Sequence, residues 1–110
     1  MTGTGCVTFV SDCHVRAAAD LISHTWDPVV VSALRPGPTR RGVLLERIAG
    51  VSDKALTESL RRLVAHGLVA RAPGGAAVYE LTPLGASFAR GPLAHLATWA
   101  VEHQDELAAM

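Results

Sequence analysis

Between positions 51 and 81 the spacing of apolar residues changes period once. Leu56, Leu60, Leu63 and Val64 recur at steps of three and four, which lays one apolar stripe along a helix, while Lys54, Thr57, Glu58, Arg61 and Arg62 point elsewhere. Ser52 is a preferred N-cap, and Asp53 puts a carboxylate in the first turn, where the helix dipole favours it. Gly67 suits the residue just past a helix end. A helix over about 53–66 is therefore predicted. Beyond it, 68–69 and 77–81 read as two short strands joined by Pro73-Gly74-Gly75-Ala76, a turn marked by its proline and paired glycines. Helix, strand, glycine turn, strand is the order of a winged helix-turn-helix. A buried stripe with a Lys/Thr/Arg outer face is what a groove-reading helix needs. On a helix standing alone the same face would be ordinary solvated charge, so the weight rests on the hairpin that follows.

The remaining pattern adds helices on both sides. Residues 1–10 are Thr/Gly-rich and predicted to be loose. Ser11 or Asp12 caps a first helix over about 13–24, with Val15, Ala18, Ala19 and Ile22 inward. Asp27-Pro28 reads as a cap with a proline at the first helical position, opening a second helix through Leu34. Pro36-Gly37-Pro38 breaks the chain, a third helix covers about 42–48, and Ala49-Gly50-Val51 turns into the recognition helix. Thr82-Pro83 repeats the cap-plus-proline pattern, Gly91-Pro92 interrupts the helix it starts, and a last helix carries Leu93, Leu96, Trp99 and Ala100 towards Leu107. No repeat or linker divides the chain, so 1–110 is expected to be one domain, mainly α with a small β-hairpin.

The residues also resemble the HxlR-type, MarR-like winged helix-turn-helix regulators of bacteria. The resemblance runs through Cys13, Trp26, Leu34, Gly37-Pro38, Arg40, Leu44 and Ile48 into Gly50, Ser52, Lys54, Leu56-Thr57, Leu60-Arg61 and Leu63. It continues through Gly67-Leu68-Val69, Arg71, Tyr79, Leu81-Thr82, Gly85, Leu93, Leu96, Trp99 and His103, and so covers nearly the whole chain. It implies a DNA-binding transcriptional regulator that acts as a homodimer on a palindromic double-stranded operator, with 83–110 as C-terminal dimerisation helices. Thr57 and Arg61 would meet base edges, Ser52, Lys54 and Arg62 phosphates, and Arg71 with the Gly74-Gly75 tip the flanking backbone. Cys13 matches a family cysteine that in some members senses oxidants or electrophiles. A helix start, with Arg16 one turn on and His14 beside it, favours the reactive thiolate. The alternative is a small packed residue. Cys6 lies outside the family pattern, and spacing does not choose between a Cys6–Cys13 disulfide and a bridge across a dimer.

The chain also departs from that family. Arg41 stands where a phenylalanine is usual, Val43, Val64 and Val78 where glutamate is common, Glu46 for an arginine and Thr25 for a lysine. The wing has lost a Pro-Pro-Arg segment. Fewer cations lower the electrostatic attraction for phosphate.

Composition fits one small domain: 110 residues, 49% hydrophobic but only 5% aromatic, imply a modest core of Ala, Val and Leu. The formal net charge is zero, so nucleic-acid binding would have to come from a local basic patch. No apolar run approaches the roughly 20 residues of a membrane span, and no secretory leader is apparent, which points to the cytoplasm and away from membranes.

A second class of function stays open. His95, Trp99 and His103, spaced by four, share one helix face. With Trp26 they are candidates for an aromatic ligand pocket, for a small-molecule effector or even a general base. That would be a winged-helix dimer repurposed for ligand binding or catalysis. The blander reading makes Trp99 core or dimer packing with a polar histidine edge. No cofactor is implied, no catalytic set emerges, and His14, His24 and His66 are too scattered for a metal site.

Overall fold

The computed structural model describes residues 10–74 and 76–109. In chain order they form α1 (Val10–Asp20), α2 (Trp26–Ala33), β1 (Thr39–Arg40), α3 (Arg41–Arg47), α4 (Asp53–Ala65), β2 (Val69–Arg71), β3 (Val78–Leu81), α5 (Pro83–Phe88), α6 (Ala94–Glu102) and α7 (Gln104–Ala108). A π-helical segment, Ala89–Leu93, joins α5 to α6. Helices around a small antiparallel sheet make a winged helix-turn-helix, as the pattern predicts.

Helix α4 begins and ends where its signals say. The Ser52 Oγ accepts from the Ala55 N–H at 3.0 Å. At the other end the Gly67 N–H donates to Val64 O and the Leu68 N–H to Leu63 O, both at 3.0 Å, which closes a Schellman motif. Gly67 makes this turn with φ of 78°, a conformation that costs glycine least. The stripe buries Leu56, Ser59, Leu60 and Leu63, whereas Val64 lies at its edge and stays exposed.

That stripe packs against Val30, Val31 and Leu34 of the α2 region, and Leu44, Ile48, Leu68, Val69, Ala89 and Leu93 complete the core. Each buried Leu or Val contributes on the order of 1.5–3 kcal/mol. The sheet order is β1-β3-β2, with Thr39 opposite Tyr79 on one side and Arg71 opposite Tyr79 on the other. β1 was not predicted, because two residues after a proline carry no strand period and are defined only by pairing with a distant partner. Thr82 caps α5 as read, its Oγ1 accepting from the Gly85 N–H at 3.0 Å and donating to Gly67 O at 2.6 Å.

Several expectations are corrected. α2 starts at Trp26, so Asp27 is not its cap but a fully buried residue of its first turn. Gly91-Pro92 does not interrupt the C-terminal run, since the π turn carries the helix through it. α1 starts at Val10 and stops at Asp20, and Val15 and Ile22 are 64% and 37% exposed rather than packed inward. The last helix divides at His103. The reading of the opening segment as loose falls on residues outside the described ones, except Val10.

Candidate nucleic-acid interface

The exposed side of α4 faces the β2–β3 hairpin across an open groove of about 320 Å³. Leu60 and Val64 make its floor, Tyr79 one wall, and Arg41, Arg61, Arg71 and Thr57 its polar rim. Three guanidinium groups line this groove, and since Arg41 is paired with Asp53, Arg61 and Arg71 supply locally the positive charge that the neutral chain lacks overall. Helical geometry puts Lys54, Thr57 and Arg61 on this side. Ser52 and Lys54 are exposed at the start of α4, and Arg61 and Arg71 are exposed along the groove.

Arg41, which the spacing of the sequence did not single out, organises this surface. It opens α3, and its backbone N–H donates to Ala77 O at 2.8 Å, so the hairpin fixes where its side chain starts. Its Nη1 donates to Asp53 Oδ1 at 2.8 Å, while Nη2 donates to Asp53 O at 2.9 Å and also to the Thr57 hydroxyl. The usual apolar residue at this position hides the role, and only the departure to arginine signals it.

Arg62 turns the other way. Its Nε donates to Asp27 Oδ2 at 3.0 Å and its Nη2 to Asp27 Oδ1 at 2.9 Å, and the Ser59 hydroxyl donates to Oδ1 at 2.7 Å. Hydrogen bonding to Asp27 raises the Arg62 pKa above its ordinary value, and partial burial opposes the rise. Arg62 is thus the counter-ion of a carboxylate buried under α4, and its guanidinium is not presented with Arg61. One sequence signal could have found this: Ser59 sits within the leucine stripe, and a polar group there requires a buried partner.

Gly74 lies exposed in the wing turn, and Gly75 falls outside the described residues. Cys13 is half-buried and disulfide-bonded, at the end of the first turn of α1 rather than at its start. The chain's other cysteine, Cys6, is outside the described residues.

Of the proposed ligand-pocket residues, Trp99 and His103 meet on the surface of the C-terminal helices. Trp26 packs against the core, with its ring edge near Gly50. On α6, His95 and Trp99 are exposed, and Trp99 stacks on His103 with ring centroids 4.4 Å apart. His103 Nδ1 lies 2.9 Å from Trp99 O. Among the described residues no cluster of His, Cys, Asp and Glu could hold a metal ion, and no helix is long and apolar enough to cross a membrane.

Residues 21–108 match the model of the family described as HxlR-like helix-turn-helix. The chain is 33% identical over 95 residues to the uncharacterized HTH-type transcriptional regulator YtfH of Escherichia coli K12, covering 83% of this chain and 75% of that one. It is 37% identical over 59 residues to the regulator sll1512 of Synechocystis, covering 54% of this chain and 44% of its relative. Among solved structures it is similar to the regulator ytfH from Salmonella typhimurium, with a TM-score of 0.72, 29% identity, and 86% and 88% of the two chains covered. It is also similar to the quinone-bound YodB of B. subtilis, with a TM-score of 0.72, 26% identity, and 82% and 98% covered.

Proposed function

The chain belongs to the HxlR-like helix-turn-helix family of transcriptional regulators, which are not enzymes, and we propose that it binds a palindromic double-stranded operator as a homodimer. The observation that carries this reading is the basic groove between α4 and the wing, where Thr57, Arg61 and Arg71 converge on one exposed surface. α4 enters the major groove. Thr57 and Arg61 meet base edges, while Ser52, Lys54, Arg71 and the wing tip at Gly74 contact phosphates. Arg62 leaves the phosphate set because Asp27 holds its guanidinium. The Ser52 hydroxyl accepts from the backbone as the cap, and its own proton remains for a phosphate oxygen.

Association as a dimer is supported by the apolar surface left open on the terminal helices. Val15, Leu96, Trp99 and Val101 are each about half exposed or more. α1 and the π segment face one another across an apolar groove lined by Val15, Ala18, Ile22, Phe88, Leu93 and Leu96. Apolar surface grouped in this way marks an association face. Helices 83–110, with α1, form that face in this reading.

Fluorescence anisotropy against an inverted-repeat duplex, with scrambled competitor at two salt concentrations, tests the proposal. Tight binding that weakens with salt yet survives the competitor is expected. Arg61→Ala should cost about 1–3 kcal/mol of specific binding, and unchanged affinity would remove the reading face from where it is placed.

Cys13 is proposed as the point of oxidant or electrophile response once its disulfide is reduced to the thiol, a reading supported by the similarity to a quinone-bound regulator and by the disulfide that Cys13 forms. Wild-type protein, reduced and freed of reductant beforehand, should change its DNA affinity on treatment with peroxide or a quinone, and Cys13→Ser should not. An identical response in both proteins rules out the thiol switch.

A further inference from the structure

Arg41 stands against the recognition helix as a fixed cation, with its side chain 24% exposed, and the Asp53 carboxylate it grips is 74% exposed. Its Nη2 also reaches the Thr57 hydroxyl, which is half-buried at the rim of the basic groove. A hydroxyl has one proton and two lone pairs. With one lone pair filled by a guanidinium, the oxygen is drained of electron density and its proton turns away from the cation. An amino group approaching that oxygen would also meet the positive charge of Arg41. An acceptor approaching it would meet both the proton and a favourable charge.

We propose that Arg41 is a specificity-determining residue that sets the Thr57 hydroxyl as a hydrogen-bond donor, so that Thr57 selects base edges carrying acceptors. In the major groove those are guanine N7 and O6, adenine N7 and thymine O4, as against the amino groups of adenine and cytosine. The pairing has a second effect. Asp53, in the first turn of α4, would repel an approaching phosphate, and Arg41 neutralises it. The proposal rests on the DNA-binding reading above.

Selection from a randomised duplex library, followed by affinity measurement on the enriched site, tests it with wild type, T57V, R41M and the double variant R41M/D53N. Wild type should enrich guanine or thymine over cytosine at one strand position. T57V and R41M should both relax that base pair to near-equal use and leave the others unchanged. R41M should also bind about tenfold more weakly through the freed Asp53 charge. The double variant should regain that affinity without regaining the preference. If R41M does not fold by circular dichroism, R41K replaces it, since an ammonium cannot hold Asp53 and Thr57 in the same fork, and the same relaxation is expected. A full wild-type preference in the folded Arg41 variant overturns the proposal, as does a T57V that relaxes nothing or a site enriched for cytosine at that strand position. A wild-type protein that enriches no motif fails differently, because it removes the DNA-binding reading itself.

Discussion

Replacing Arg62 with methionine should lower the stability of the fold by about 3–5 kcal/mol, the range for stripping one partner from a buried ion pair. The Asp27 carboxylate has none of its surface in water and depends on Arg62 and Ser59. Methionine keeps the apolar stem of the arginine but leaves the charge with a single hydroxyl donor. Because the Arg62 side chain is itself 30% exposed, solvent screens the pair and the lower end of the range is the better expectation. In a domain of this size that lowers Tm by roughly 10–25 °C. Thermal and denaturant unfolding followed by circular dichroism, at one fixed protein concentration, measures it. A loss below about 1 kcal/mol would mean that water already solvates Asp27. Making the site wholly apolar, with Asp27→Leu and Ser59→Ala added to Arg62→Met, should recover much of the loss.

Gly85→Ala should be comparably damaging for a purely steric reason. A Cβ built there lies 1.9 Å from the Leu68 carbonyl oxygen, 2.9 Å from its carbon and 3.2 Å from Leu68 Cα. All three are backbone atoms, and that same carbonyl accepts the Thr82 N–H at 3.0 Å, so α5 is tied to the spot it would have to leave. Relief requires moving α5 away from the strand that begins the wing, at about 3 kcal/mol, the upper part of the overpacking range. Gly91→Ala is the control. Nothing lies within 4 Å of its Cβ position, so stability there should stay the same or rise slightly. Equal unfolding curves for the two variants would show that α5 has room to shift.

What could be read from the sequence was what neighbouring residues decide. Ser52, Gly67 and Thr82-Pro83 cap their helices as predicted, because a cap depends on the three or four residues beside it. What could not be read depends on residues far apart. Asp27 looks like a cap beside Pro28, yet its partners are Ser59 and Arg62, 32 and 35 residues away. Arg61 and Arg62 are neighbours in the chain and alike in chemistry. A helix turns about 100° per residue, so one faces the groove and the other the core edge. Thr57 was legible as a surface residue, but Arg41 reaches it from 16 residues upstream. The inward face expected of α1 failed for another reason: its apolar residues recur at helical spacing, but among the described residues they line an open groove and stay exposed.

The π segment at Ala89–Leu93 has a geometric consequence. Pro92 offers no N–H to the preceding turn, and the wider turn accommodates it without ending the helix. Such a turn holds one residue more than an α-helical turn, so it acts as a phase shifter between the part of the molecule proposed to touch DNA and the helices at the far end. Losing that residue would rotate everything beyond it by about 100° and leave the reading head where it was. In the proposed dimer this angle decides how far along the duplex the second reading head falls. In that proposal the distance between operator half-sites is written into the pitch of one helical turn, well away from any residue proposed to meet a base.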